Sequence, residues 1–182
     1  MRRVVLLLAS MSMALVLASG VALAVNQIRC DGGECLGTPR NDEMLGSLRH
    51  DVIYALKGDD RMWGRTGRDD VYGFRGNDWA TGGSGIGKVS GGDGRDTLLD
   101  GPRQDPSRDN VNGGNGSDTF ISRNDPASVD VLNCGAGYDV AKVDSKDIVS
   151  SYCEDVRPSG GGGGRGYDGA KKVKGILSAT FW

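Results

Sequence analysis

Aspartates recur every ninth residue in this chain: Asp42, Asp51, Asp60, Asp69 and Asp78, then Gly87 where the series breaks, then Asp96. A glycine sits two residues before most of these positions, at Gly58, Gly67, Gly76, Gly85 and Gly94. Glycine reaches positive φ without steric cost and lets backbone carbonyls point towards a common centre. An aspartate that ends such a turn adds a carboxylate to those carbonyls. The chemistry on offer is oxygen-only ligation at flexible spacing, which suits a hard cation such as calcium rather than zinc or copper. Aspartate's short side chain stays close to the turn, and the chain uses 21 Asp but only three Glu (Glu34, Glu43, Glu154). An ordinary acidic surface would mix the two.

Such carboxylates need elements that bring them together. Two residues after each of these positions stands an apolar side chain: Met44, Ile53, Met62, Val71, Ala80, Val89 and Leu98. Another glycine usually opens the nine-residue unit, at Gly37, Gly46, Gly64, Gly73, Gly82 and Gly91. One apolar residue in nine cannot form an amphipathic helix, which needs three or four in two turns. It cannot form a hairpin meander either. If three residues form a short strand and the six before it a turn, consecutive units wind into a flat coil whose apolar side chains pile into a narrow core. The sequence therefore predicts an all-β fold, a parallel β-roll (β-solenoid) with two units per coil and stacked strands about 4.8 Å apart. Residues eighteen apart then lie above one another.

Units GGDGRDTLL (Gly91–Leu99) and GGNGSDTFI (Gly113–Ile121) match G-G-x-G-x-D-x-U-x at every defined position. They resemble the RTX, or haemolysin-type, calcium-binding repeat, and the resemblance covers roughly residues 37 to 142. It implies calcium ions held between turns on each edge of the roll. The expected ligands are Asp60, Asp78 and Asp96 on one edge, Asp51 and Asp69 on the other, and Asp118 beyond an insertion. Carbonyls of the turns carrying Gly58, Gly67, Gly76, Gly94 and Gly116 supply the rest. The chain also departs from the pattern. Arg40 and Arg49 stand where a glycine precedes the aspartate, which predicts weak first turns, and Gly87 weakens any site shared with Asp69. Asp100–Arg103 adds four residues, and Pro102 and Pro106 mark an inserted loop. The register then resumes at Asp109/Val111, Asp118/Phe120, Asp130/Leu132 and Asp139/Ala141.

The flanks set the context. Residues 1–24 read as a secretory signal: Arg2 and Arg3, an apolar run from Val4 to Leu17, then the small-x-small site Ala22-Leu23-Ala24. An uncleaved anchor is the other reading, because Val4–Ala24 is nearly long enough to span a bilayer. Residues 25–36 read as an N-terminal cap, residues 37–157 as the roll with its C-terminal cap, and residues 158–182 as a Gly-rich linker and flexible tail. Four cysteines in an exported chain predict two local disulfides, Cys30–Cys35 and Cys134–Cys153, one at each end of the solenoid. A zinc site is the alternative, but the single histidine, His50, is far from either pair.

Removing Arg2 and Arg3 takes the formal net charge from −2 to −4, too mild to predict a charged macromolecular partner. No basic face suggests nucleic acid. No H-E-x-x-H, G-x-S-x-G or phosphate loop is present, and paired acids such as Asp59/Asp60 each contain a repeat aspartate, so the expectation is no enzyme. Tyr54, Trp63 and Tyr72 end their units and should face outward, the two tyrosines on one face and Trp63 on the other. They read as a side-chain ladder, or as a glycan or cell-surface contact. Residues 171–182, basic then apolar, read as a disordered tail or a surface contact. The functional expectation is a secreted, monomeric protein that folds on binding Ca2+. A calcium-dependent adhesion or matrix module, and the companion or remnant of an exported hydrolase, are the alternatives.

Overall fold

The computed structural model describes residues 25–123, 128–158 and 171–173. Residues 1–24, read above as a secretory signal, the glycine run at 160–164 and the chain end after 173 lie outside the described residues. All regular structure among the described residues is strand. In chain order the first eight strands are β1 (Asn26–Arg29), β2 (Gly33–Leu36), β3 (Asp42–Leu45), β4 (Asp51–Lys57), β5 (Arg61–Trp63), β6 (Asp70–Arg75), β7 (Trp79–Thr81) and β8 (Lys88–Asp93). The series continues with β9 (Thr97–Leu99), β10 (Asn110–Asn115), β11 (Thr119–Ile121), β12 (Val131–Ala136), β13 (Val140–Val143), β14 (Ile148–Ser150), β15 (Asp155–Pro158) and β16 (Lys171–Val173).

Odd-numbered strands form one eight-stranded sheet and even-numbered strands another, each in sequence order. Every pairing within them is parallel. The chain thus crosses from one sheet to the other at each strand, which is the expected parallel β-roll. The last strand, β16, pairs with β14 and falls within the stretch read from sequence as a tail.

Register follows the nine-residue period. Met44 pairs with Met62, Met62 with Ala80 and Ala80 with Leu98. In the facing sheet Cys35, Ile53, Val71 and Val89 stack in the same way. These side chains are almost fully buried, in one narrow core with Val111, Phe120, Leu132, Ala141 and Val149. Each coil contributes only two such residues, so its stability comes mainly from its neighbours. The spacing between stacked aspartates is 18 up to Asp96, then 22 from Asp96 to Asp118 and 21 from Asp118 to Asp139. The insertions are therefore looped out, and Leu98 still meets Phe120.

Tyr54 and Tyr72 stack on the outer face of the even sheet with ring centroids 5.4 Å apart. Trp63 belongs to the odd sheet, where its ring lies 5.1 Å from that of Trp79. Both expected disulfides form, Cys30–Cys35 with Cα atoms 5.6 Å apart and Cys134–Cys153 at 5.2 Å.

Candidate metal centre

The aspartates form two columns, one along each edge of the roll. In the first, the backbone N–H of Asp42 donates to Oδ1 of Asp60 (2.7 Å), Asp60 to Asp78 (2.8 Å), and Asp78 to Asp96 (2.8 Å). Asp96 donates to Asp118 (2.9 Å) and Asp118 to Asp139 (2.8 Å), and the column ends where Asp139 donates to Oε2 of Glu154. In the second column Asp51 donates to Asp69 (2.9 Å). Gly87 interrupts the carboxylates there, but its own N–H donates to Asp109, and the run continues through Asp130 to Asp147. Each link satisfies one backbone donor per coil, which is why a short carboxylate is needed at every step.

One oxygen per aspartate is thereby used. The other, Oδ2, is buried and has no hydrogen-bond partner on Asp60, Asp69, Asp78, Asp96, Asp109, Asp118 and Asp139. An orphaned buried carboxylate oxygen is costly. Asp42 and Asp51 differ. Oδ2 of Asp42 accepts from the N–H and hydroxyl of Thr38, and Oδ2 of Asp51 from those of Ser47. Asp130 and Asp147 are also capped by hydroxyls: Ser122 donates to both and Ser128 to Asp130.

The second residue of the unit separates these cases, Asp109 excepted, whose unit carries Asp105 there without a positive φ. Where it is Thr38 or Ser47, its hydroxyl closes the turn onto the aspartate. In six later units it is left-handed, with φ of 83° at Leu56, 79° at Arg65 and 76° at Phe74, and 119° at Gly92, 113° at Gly114 and 98° at Gly135. These six precede Asp60, Asp69, Asp78, Asp96, Asp118 and Asp139, all with an unpartnered Oδ2. Where glycine opens the unit, the space beside that oxygen is tight, whereas Ala55 and Cys134 open the units of Asp60 and Asp139. A Cβ on Gly73 would sit 2.2 Å from Oδ2 of Asp78, and one on Gly91 would sit 2.0 Å from Oδ2 of Asp96. The glycines two before the aspartate stack equally closely. A Cβ on Gly76 would meet the Gly58 carbonyl oxygen at 1.7 Å, on Gly94 that of Gly76 at 1.8 Å, and on Gly116 that of Gly94 at 1.6 Å. Across the roll, Gly67 lies over the Arg49 carbonyl.

Burial pushes the free-standing carboxyls up. Asp60, Asp69 and Asp96 rise to about 6 and Asp78 and Asp118 to about 7, desolvation outweighing the N–H each accepts. The charges acting on Asp60, Asp78, Asp96 and Asp118 are all other carboxylates, which raise them further. Asp109, near Asp130, Asp105 and Asp100, is driven by burial to about 8. A column of this kind calls for positive charge. Among the described residues no three His, Cys, Asp or Glu side chains converge as a metal-holding cluster, so any donor set must combine carboxylates with backbone carbonyls. His50 takes no part: it is exposed and its Nδ1 bonds the Arg68 carbonyl.

Residues 36–71, 72–99 and 106–124 match the family model of the RTX calcium-binding nonapeptide repeat (4 copies). The repeat region is an RTX array. No curated protein and no solved structure matches the chain. RTX repeats bind calcium and form a β-roll, and the orphaned oxygens of this roll fit such an ion. All are hard oxygen donors, beside turns whose stacked glycines leave no room for a Cβ. Among the residues picked from sequence, Asp60, Asp78, Asp96 and Asp118 stand in one column with Gly58, Gly76, Gly94 and Gly116. Asp51, Asp69 and Gly67 stand on the opposite edge. Asp109 and Asp139 have the same free oxygen, although the sequence reading placed them in register without naming them as ligands. The available signal was the aspartate two before an apolar residue, obscured by the two insertions.

Proposed function

We propose that this chain is an exported, non-enzymatic RTX protein whose roll folds when calcium enters the aspartate columns. The observation that carries the reading is the run of buried, unpartnered Oδ2 atoms on Asp60, Asp69, Asp78, Asp96, Asp109, Asp118 and Asp139. Calcium would be held by these oxygens and by carbonyls of the turns containing Gly58, Gly67, Gly76, Gly94 and Gly116. Bound there, the ion supplies positive charge where the fold otherwise stacks acids over acids. The chain's own part is to fix each carboxylate through an N–H from the coil before and to keep glycine where a Cβ would fill the site. Binding to the folded state alone makes binding free energy into folding free energy. The two disulfides and the N-terminal segment support an extracellular setting, where calcium is plentiful.

The test is far-UV circular dichroism of the disulfide-intact chain from Val25 to Trp182, titrated with calcium against EGTA and magnesium at neutral pH. A coil-to-β transition with calcium and none with magnesium is expected. A spectrum already β-rich in EGTA at neutral pH would overturn calcium-triggered folding and leave the ion a secondary role.

A further inference from the structure

The left-handed second position of the unit is occupied by glycine at Gly83, Gly92, Gly114 and Gly135, which adopt it without strain. Leu56, Arg65 and Phe74 hold the same conformation at a cost that bulky side chains rarely bear. The turn explains the conformation but not the choice of residue, since glycine would serve it better. The side chains themselves must be used. Leu56 and Phe74 wall a cleft of about 530 Å³ on the even sheet, and Arg65 lines a smaller one of about 330 Å³ beside Trp63.

The larger cleft has a defined architecture. Tyr54 and Tyr72 stack nearly parallel, and the Phe74 ring leans on both, at 6.1 and 6.3 Å. One coil further the register replaces Tyr72 by Ser90 and Phe74 by Gly92. The aromatic ladder ends there in a step, with Tyr72 and Phe74 as its wall and Ser90 and Gly92 as its floor. A rim column of Lys57, Arg75 and Asp93 stacks in the same register. Arg75 and Asp93 form a loose, exposed ion pair at 3.8 Å, which leaves guanidinium donors for a ligand to share.

We propose that this cleft binds a segment of an acidic polysaccharide. The C–H face of a pyranose ring packs on Tyr72 and Phe74, its uronate carboxylate pairs with Lys57 and Arg75, and its hydroxyls meet Ser90 and Asp93. Charge decides the class of sugar, because Lys57 and Arg75 outnumber Asp93 and leave the rim of an apolar wall net positive on a chain of net negative charge. The shape disfavours other occupants. A membrane would need a continuous apolar face, but the outward row passes from Tyr54 and Tyr72 to Ser90 and Asn112. A second copy would pair at a strand edge, and this cleft lies mid-sheet, where β4, β6 and β8 are hydrogen-bonded on both sides.

Calorimetric titration of a short galacturonate oligomer into the calcium-loaded chain tests this, with a neutral cellulose-derived oligomer as control. The parent should bind the acidic oligomer and bind the neutral one far less. Phe74→Gly restores the residue this column uses elsewhere and should keep the calcium-dependent β spectrum while weakening binding roughly tenfold, the scale of one aromatic contact. Arg75→Ala should remove the preference for the acidic sugar. No binding by the parent, equal affinity for the neutral oligomer, or Phe74→Gly binding as the parent does would each overturn the proposal. So would a concentration-dependent dimer abolished by Phe74→Gly without any sugar binding. The β spectrum is read on the same samples, so failure of the cleft is distinguishable from failure of calcium-driven folding.

Discussion

Asp78 and Asp51 occupy the same place in the repeat, yet their carboxylates are in different states. Both accept a backbone N–H from the preceding coil at Oδ1. Oδ2 of Asp51 is satisfied by Ser47, whereas Oδ2 of Asp78 is buried without a partner. If the unpartnered oxygens hold calcium, the two positions respond differently to loss of charge. Asp78→Asn keeps the acceptor for the Asp60 N–H but should lower the number of ions bound at saturating calcium, because Asp78 lies between Asp60 and Asp96. Asp51→Asn should leave that number unchanged. Equilibrium dialysis with metal analysis reads the stoichiometry directly, and equal losses for the two variants would contradict the assignment. The aspartate positions were legible in the sequence. The occupancy of their oxygens was written there too, in a hydroxyl four residues before Asp42 and Asp51. That signal is legible only once the turn is known to fold back on the aspartate.

At the scale of elements, the strands and their pairing were readable because a single period sets both the fold and the register. The insertions after Leu99 and Ile121 preserve that register by looping out. The left-handed Leu56, Arg65 and Phe74 were not readable, because the second position of the unit tolerates many residue types and only stacking forces their conformation. The ends of the solenoid were marked by cysteines, and the two disulfides should contribute unequally. Loop-closure entropy assigns roughly 3 kcal/mol to Cys134–Cys153, which closes a separation of 19 residues, and roughly 2 kcal/mol to Cys30–Cys35, with a separation of five. Cys134 and Cys153 are also fully buried, so their loss disturbs packing. Replacing that pair by Ala should therefore lower the urea midpoint of the calcium-loaded chain more than replacing Cys30 and Cys35. The opposite order would mean that the C-terminal coils unfold independently of the rest.

Over the whole molecule, a thin core faces two columns of buried, stacked acids, and if calcium enters these columns, it and protons are alternative ways of relieving the same cost of burying charge. Burial lifts the carboxyls of Asp60, Asp78, Asp118 and Asp109 to about 6 to 8, against an ordinary value of 3.8. Raised values mean that the folded state holds more protons than the unfolded chain between those limits. Stability of the calcium-free roll must then fall as pH rises from about 4 through about 8, and it is greatest on the acid side. Calcium held as proposed would bind the ionised carboxylates and compete with protons for them. In EGTA the chain should therefore gain β-structure as pH is lowered from 8 to about 5, and over the same range less calcium should be needed to reach the folding midpoint. Circular dichroism across a pH and calcium grid measures both. A calcium-free chain that stays unfolded throughout would show that protons cannot replace the ion and that the columns need its bridging geometry as well as its charge. Folding in EGTA that strengthens towards pH 8 would reverse the sign and remove the burial of ionised carboxylates as the reason for the proposed calcium requirement.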